Sequence, residues 1–255
     1  MTTANRIAIW GVLAMALALT GFGTGGQAAA AAPTAEPKKL ANGNTEREQG
    51  TMQVDAGQGT QSLRSVATVV DPKLGEKTAA QLGTAEGQKK LADANASVPS
   101  SLGKPGTQKV TSSDVQELAN QFAGRTVYSS QAMHMEIINA YVIELDAKSH
   151  SMPGVRMKVN FTVSDKDLKL QRAGLEYYPD ASKRTQSYVK KKMALTDITI
   201  DKLERKDDNT FVVAGRFKTT DLAPGVLAKE LKGQALDRVS GRFDFSEVPI
   251  RKMGK

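Results

Sequence analysis

The clearest patterning along the chain is alternation of apolar and polar residues at every second position. Val155, Met157, Val159, Phe161 and Val163 alternate with Arg156, Lys158, Asn160, Thr162 and Ser164. This predicts a strand with one buried and one wet face. Phe211, Val213, Gly215 and Phe217 repeat the pattern, as do Val239, Gly241, Phe243 and Phe245. Met193–Leu203 reads as a further strand, joined to Phe211–Lys218 through Lys206, Asp207, Asp208 and Asn209, a good hairpin connection. Ala132–Asp146 is apolar on both faces at Ile137, Ile138, Tyr141, Val142 and Ile143 and reads as one longer strand. Leu168–Tyr177 is a weaker strand, interrupted at Gly174.

Helical spacing is clearest just before these strands. Val115, Leu118, Ala119 and Phe122 fall on one stripe, Ser113 and Gln116 have capping-box spacing, and Gly124 stands where a left-handed cap is expected. A second short helix is predicted from Pro224 to just before Gly233, with Leu227 and Leu231 on one face. The expected fold of residues 111–255 is therefore α+β: a mostly antiparallel meander sheet of about five or six strands with one or two packed helices.

Before that domain the pattern fades. Pro33–Val110 contains no Phe, Tyr or Trp, so residues 31–110 read as a low-complexity, mostly disordered linker. Two local helices are expected within it, one from Asp71-Pro72 toward Leu82 and one over Thr84–Ala94, weakened by Gly87. Val66, Val69 and Val70 form an apolar cluster suited to a short edge strand or to docking on the domain.

The amino end has the three parts of an export signal. Arg6 supplies positive charge, Ile7–Leu19 is an unbroken apolar run, and Ala28–Ala32 offers small-residue cleavage sites. Residues 1–30 read as a signal peptide, which places the mature chain in the periplasm or outside the cell. The alternative is an uncleaved single-pass anchor that leaves the domain outside the cytoplasm, at the short end of what crosses a bilayer, about 17 residues.

Composition sharpens this picture. The chain has no cysteine, which excludes disulfides, lipidation through cysteine, thiol catalysis and thiolate metal sites. Its net charge of +8 falls to about +7 once Arg6 is removed, and favours acidic partners. Outside the cytoplasm these are anionic lipid, lipopolysaccharide, acidic wall polymers or another envelope protein. Export makes nucleic acid a poor candidate, and a membrane enters only if the signal is uncleaved.

Catalytic motifs are sparse. His134 and His150 lack metal-ligand spacing, and no nucleophile elbow, Walker loop or dinucleotide fingerprint occurs. Ser101/Lys104 and Ser187/Lys190 have S-x-x-K spacing, without the supporting elements of that chemistry. The pairs Asp165/Asp167, Asp207/Asp208 and Asp197/Asp201 read as turn or strand-end residues. No catalytic residue, metal ligand or cofactor site is assigned. The candidate site for an anionic partner is a basic segment carrying an aromatic: Lys183, Arg184, Tyr188, Lys190, Lys191 and Lys192. The outward positions Arg156, Lys158, Arg216, Lys218 and Arg242 form a second basic set if their strands are neighbours.

The expected function is a non-catalytic binding or structural protein of the cell envelope. Two alternatives stand beside it. One is a hydrolase that brings His134 together with two carboxylates. The other is a carrier of an apolar ligand in a cavity beneath Phe122, Leu227 and Phe243.

Overall fold

A computed structural model describes residues 36–97, 110–150, 154–183, 185–231 and 234–252. The expected signal peptide and Arg184 lie outside them. Among the described residues no helix is long and apolar enough to cross a membrane.

The small meander sheet is overturned. Among the described residues twelve strands join one large mixed sheet, and three α-helices accompany them. The segment expected to be a disordered tail supplies part of this fold. It contains β1 (Lys38–Lys39), β2 (Thr45–Asp55), β3 (Thr60–Val69), α1 (Leu74–Leu82) and α2 (Ala85–Ser97). Then follow α3 (Ser112–Phe122), β4 (Thr126–Tyr128), β5 (Gln131–Met135), β6 (Ala140–Lys148), β7 (Arg156–Ser164) and β8 (Leu170–Tyr178). The chain continues through β9 (Tyr188–Lys190), β10 (Ile198–Asp207), β11 (Thr210–Pro224) and β12 (Leu236–Lys252).

The chain divides into two compact units. One comprises Pro37–Glu46 and Thr68–Val127 and holds the helices. Thr111 accepts from the Asp114 N–H while the Asp114 carboxylate accepts from the Thr111 N–H, so the capping box starts α3 two residues before the expected Ser113. Val115 and Ala119 face the core, and Gly124 takes the left-handed conformation (φ 72°) that ends the helix. Val115 packs with Leu82 and Leu91; Ala119 packs with Val70 and Leu74. Gly87 was expected to weaken α2, yet a Cβ there would lie 2.0 Å from the Gln81 carbonyl oxygen. Its lack of side chain lets α2 approach the end of α1.

The second unit comprises Arg47–Ala67 and Tyr128 onward. Within it β11, β12, β5, β6, β7, β8 and β9 pair in sequence and return to β11, which closes a ring. The pairs are antiparallel except β12 with β5, which run parallel. Closure removes exposed sheet edges and makes an inside. Met157, Phe161, Ile143, Leu145, Leu175, Phe211 and Phe245 fill it, all fully buried. On β11 and β12 large and small residues complement each other across the pair, Gly215 opposite Phe243 and Phe217 opposite Gly241. A Cβ on Gly241 would stand 2.7 Å from Phe217 and 2.3 Å from the Gln53 carbonyl.

Two further expectations are corrected. Ala132–Asp146 is broken into β5 and β6 by a 3-10 turn at Glu136–Ile138, with Asn139 at φ 48°. The doubly apolar pattern arose because Ile137 and Ile138 lie exposed in that turn. The second helix shrinks to a 3-10 turn at Lys229–Leu231, since β11 runs on through Pro224 and Leu227 is exposed.

The ring forks at β12. This strand pairs with β2 over Ser240–Phe245, then with β5 over Ile250–Lys252. Between the two pairings the ladder is interrupted, and Gln49 fills the gap. Its side chain is fully buried. Nε2 donates to the Ser130 carbonyl at 2.9 Å and the Glu247 carbonyl at 3.1 Å; Oε1 accepts from the Ser129 and Ser130 N–H groups at 3.0 and 3.1 Å. Ser130 Oγ extends the network, accepting from the Asp146 N–H and sharing a hydrogen bond with Ser65 Oγ, both at 2.8 Å.

These contacts set the stability of each unit. Gln49→Ala removes a partner from four backbone groups, of which the Ser129 N–H keeps a second acceptor in the Val66 carbonyl at 3.1 Å, and should lower the unfolding free energy by about 3 kcal/mol in urea titration. Gln49→Glu keeps the shape but loses both donors, and should cost at least as much. In the helical unit, Asp71 accepts from Lys77 Nζ at 2.5 Å and from the Lys73 N–H at 2.9 Å. Lys77 first, then Lys73, holds its carboxyl below the usual 3.8. A depressed folded value stabilises the fold above the unfolded value, and this contribution is lost as pH falls through the folded one. Asp71→Asn should therefore lower the melting temperature at pH 7 and flatten its fall as pH drops below about 4; circular dichroism melts check both.

Candidate functional site

The outer face of β10, β11, β12 and β2 is built by strand alternation. With Phe217, Phe243 and Val239 turned inward, Arg216, Lys218, Ser240 and Arg242 must turn outward. Antiparallel register then sets them in rows. One row runs Thr199, Arg216, Arg242, Gln53; the next runs Lys218, Ser240, Asp55. Together with Thr60, Thr196 and Asp197 these residues line a groove of about 550 Å³.

Two arginines directly opposite each other repel, at a cost of a few tenths of a kcal/mol to about 1 kcal/mol. The groove answers this unevenly. Arg216 is held by both oxygens of Asp201, at 2.8 and 3.0 Å. Arg242 has a neutral partner, donating from Nε to Gln53 Oε1 at 2.7 Å. Lys218 is exposed and has no ion pair among the described residues. The two acids of the groove have local tasks: Asp197 accepts from Thr219 Oγ1 at 3.1 Å and Asp55 accepts from the Gly57 N–H at 2.8 Å.

Arg156 and Lys158, the other two outward cations, are elsewhere and neutralised on the sheet. Arg156 makes a bidentate pair with Asp146, at 2.8 and 2.5 Å, and stacks over Tyr178 at 5.5 Å. Lys158 donates to Glu144 at 3.0 Å. Asp146 holds the Arg156 pKa above its usual value, and burial, chiefly, pushes the Tyr178 hydroxyl up.

The basic segment singled out by sequence is split by β9. Tyr188 sits opposite Tyr177 on one side and Pro224 on the other, half-buried against the core. Lys190 Nζ donates to the Thr220 carbonyl at 2.9 Å. Lys191 and Lys192 are exposed in the bend after the strand, and Lys183 is exposed in the turn before it. Arg184 is outside the described residues.

No protein-family model matches this chain, and no curated protein or solved structure was found to match it. Its chemistry is read from its own residues.

His134 meets one carboxylate, not two. Its Nε2 is 3.4 Å from Asp165 Oδ2, and its ring stacks on Tyr141 at 4.7 Å. The Tyr141 hydroxyl accepts from Arg205, whose guanidinium also lies over the Tyr141 ring. Asp167 and Asp207 instead accept from backbone N–H groups two residues on, as turn carboxylates do. Among the described residues no three His, Cys, Asp or Glu side chains are grouped to hold a metal. Of the residues expected around an apolar cavity, Phe122 packs in the helical unit, Leu227 is exposed, and Phe243 is in the ring core.

Sequence reading missed Gln53, Asp55 and Thr60 because they lie in the expected tail. The signal was there, since Gln53 and Asp55 alternate with the buried Met52 and Val54. An exposed cation that serves the groove rather than the fold should be removable at little cost. Arg242→Gln should leave the unfolding free energy in urea within about 0.5 kcal/mol of the parent chain.

Proposed function

We propose that this chain is an exported, non-catalytic binding protein of the cell envelope, and that it engages an anionic partner through the outer face of β10, β11, β12 and β2. The observation that carries this reading is the cross-strand pair Arg216–Arg242 beside Lys218, where cations are gathered and, among the described residues, Arg242 and Lys218 form no ion pair. A fold gains nothing from placing like charges opposite each other. A ligand anion supplies the missing counter-charge. The proposal of export rests on the charged start, apolar run and small-residue site of residues 1–30. The partners it favours are wall polymer, lipopolysaccharide or anionic lipid. The segment Lys183–Lys192 contributes as a secondary basic patch.

Binding of the full chain to alginate, a polyuronate, tests this. The parent protein should bind at low salt and weaken as exposed charges are screened. Replacing Arg216, Lys218 and Arg242 with glutamine should weaken binding at least about tenfold and flatten the salt dependence. Replacing Lys183, Lys190, Lys191 and Lys192 should cost less. Unchanged binding of the triple variant would refute the outer face as the site.

A further inference from the structure

Resting on that reading, we infer that the groove takes an acidic oligosaccharide: a hydroxyl-rich chain with sparse anionic groups, neither a dense polyanion nor an acyl chain.

The charges decide the first exclusion. Arg216 is already compensated by Asp201, so Lys218 and Arg242 are the cations left to a ligand. Asp55 and Asp197 line the same groove. A polyphosphate or nucleic-acid backbone would bring a charge to every unit and press some of them against these carboxylates, and juxtaposed like charges oppose binding. A ligand with one anionic group among many hydroxyls meets no such conflict. Its anion sits at Arg242 and Lys218, and its hydroxyls donate to the free lone pairs of Asp55 and Asp197.

The remaining lining fits the same ligand. Thr60, Thr196, Thr199 and Ser240 offer hydroxyls that both donate and accept, and Gln53 adds an amide. Such groups suit a partner whose own hydroxyls do both. Phe217 and Gly241 are the apolar residues of the lining, and the rest of its carbon surface belongs to the stems of polar side chains, which carry charged or hydroxyl ends and make no continuous apolar tract for a lipid tail. About 550 Å³ is within the range of small-ligand sites and suits a short oligosaccharide rather than a single small ion.

The test is calorimetric titration of the full chain with three probes: 3′-sialyllactose (a trisaccharide with a single carboxylate), the neutral maltotriose, and tripolyphosphate. Sialyllactose should bind, with maltotriose and tripolyphosphate each at least about tenfold weaker. Lys218→Gln and Arg242→Gln should each weaken sialyllactose about fivefold or more and reduce its salt dependence. Thr199→Val with Ser240→Ala should weaken it about threefold while leaving the salt dependence intact. Tripolyphosphate binding as tightly as sialyllactose, and lost in Arg242→Gln, would overturn the saccharide assignment and leave the anionic-partner reading standing. Alginate binding that still depends on this face, with no binding of sialyllactose, would do the same. Equal binding of maltotriose, or no binding of any anion, would overturn both.

Discussion

The ring of strands depends on how β12 changes partner. A strand edge carries a fixed sequence of donors and acceptors, and two different strands cannot both occupy it. β12 pairs first with β2 and then with β5, so a stretch of ladder near Glu247 must be satisfied by something other than a strand. Gln49 does this with one primary amide, which has two donors and accepts twice, matching four backbone groups at the junction. Buried backbone groups left unpaired cost more than a made hydrogen bond contributes, so the junction is the point where an error is least tolerated. Ser130 and Ser65 carry the same logic to β6.

Register links that junction to the groove. A strand slipped by one residue turns its buried face outward, so interior packing dictates what the exterior presents. Phe243 lies over Gly215 and Phe217 over Gly241, and neither fit survives a slip. The same register brings Arg216 opposite Arg242 and Arg242 opposite Gln53. The polar rows are thus a consequence of the aromatic and glycine pattern on the far side of the same strands.

What could be read from sequence followed the same physics. β7, β11 and β12 were legible because each buries one face with large apolar residues, and so were the stripe of α3 and the outward direction of Arg216, Lys218 and Arg242. β2 and β3 were not. Their buried positions mix Gln49, Gly50, Ser65 and Ala67 with Met52, Val54 and Leu63, so the apolar alternation is short and carries no aromatic. An aromatic-free segment can therefore be ordered by backbone pairing, and its composition hides that. The turn between β5 and β6 was hidden for the opposite reason, since exposed Ile137 and Ile138 imitate a buried strand. Convergence of the three groove cations required strand order, which alternation does not encode.

Charge pairing, rather than charge count, distinguishes the groove from the rest of the sheet. β7 carries Arg156 and Lys158 in the same alternating pattern as Arg216 and Lys218, yet its neighbour β6 answers with Asp146 and Glu144. That patch is complete in itself and offers a ligand little unsatisfied field. At the groove, β10 answers Arg216 with Asp201, while β2 answers Arg242 with an uncharged Gln53. A carboxylate at position 53 would close the row at no evident steric cost, and its absence leaves the guanidinium able to take an anion from outside. The net charge of +8 says little about where that happens; a row with two opposed arginines and one acid says more.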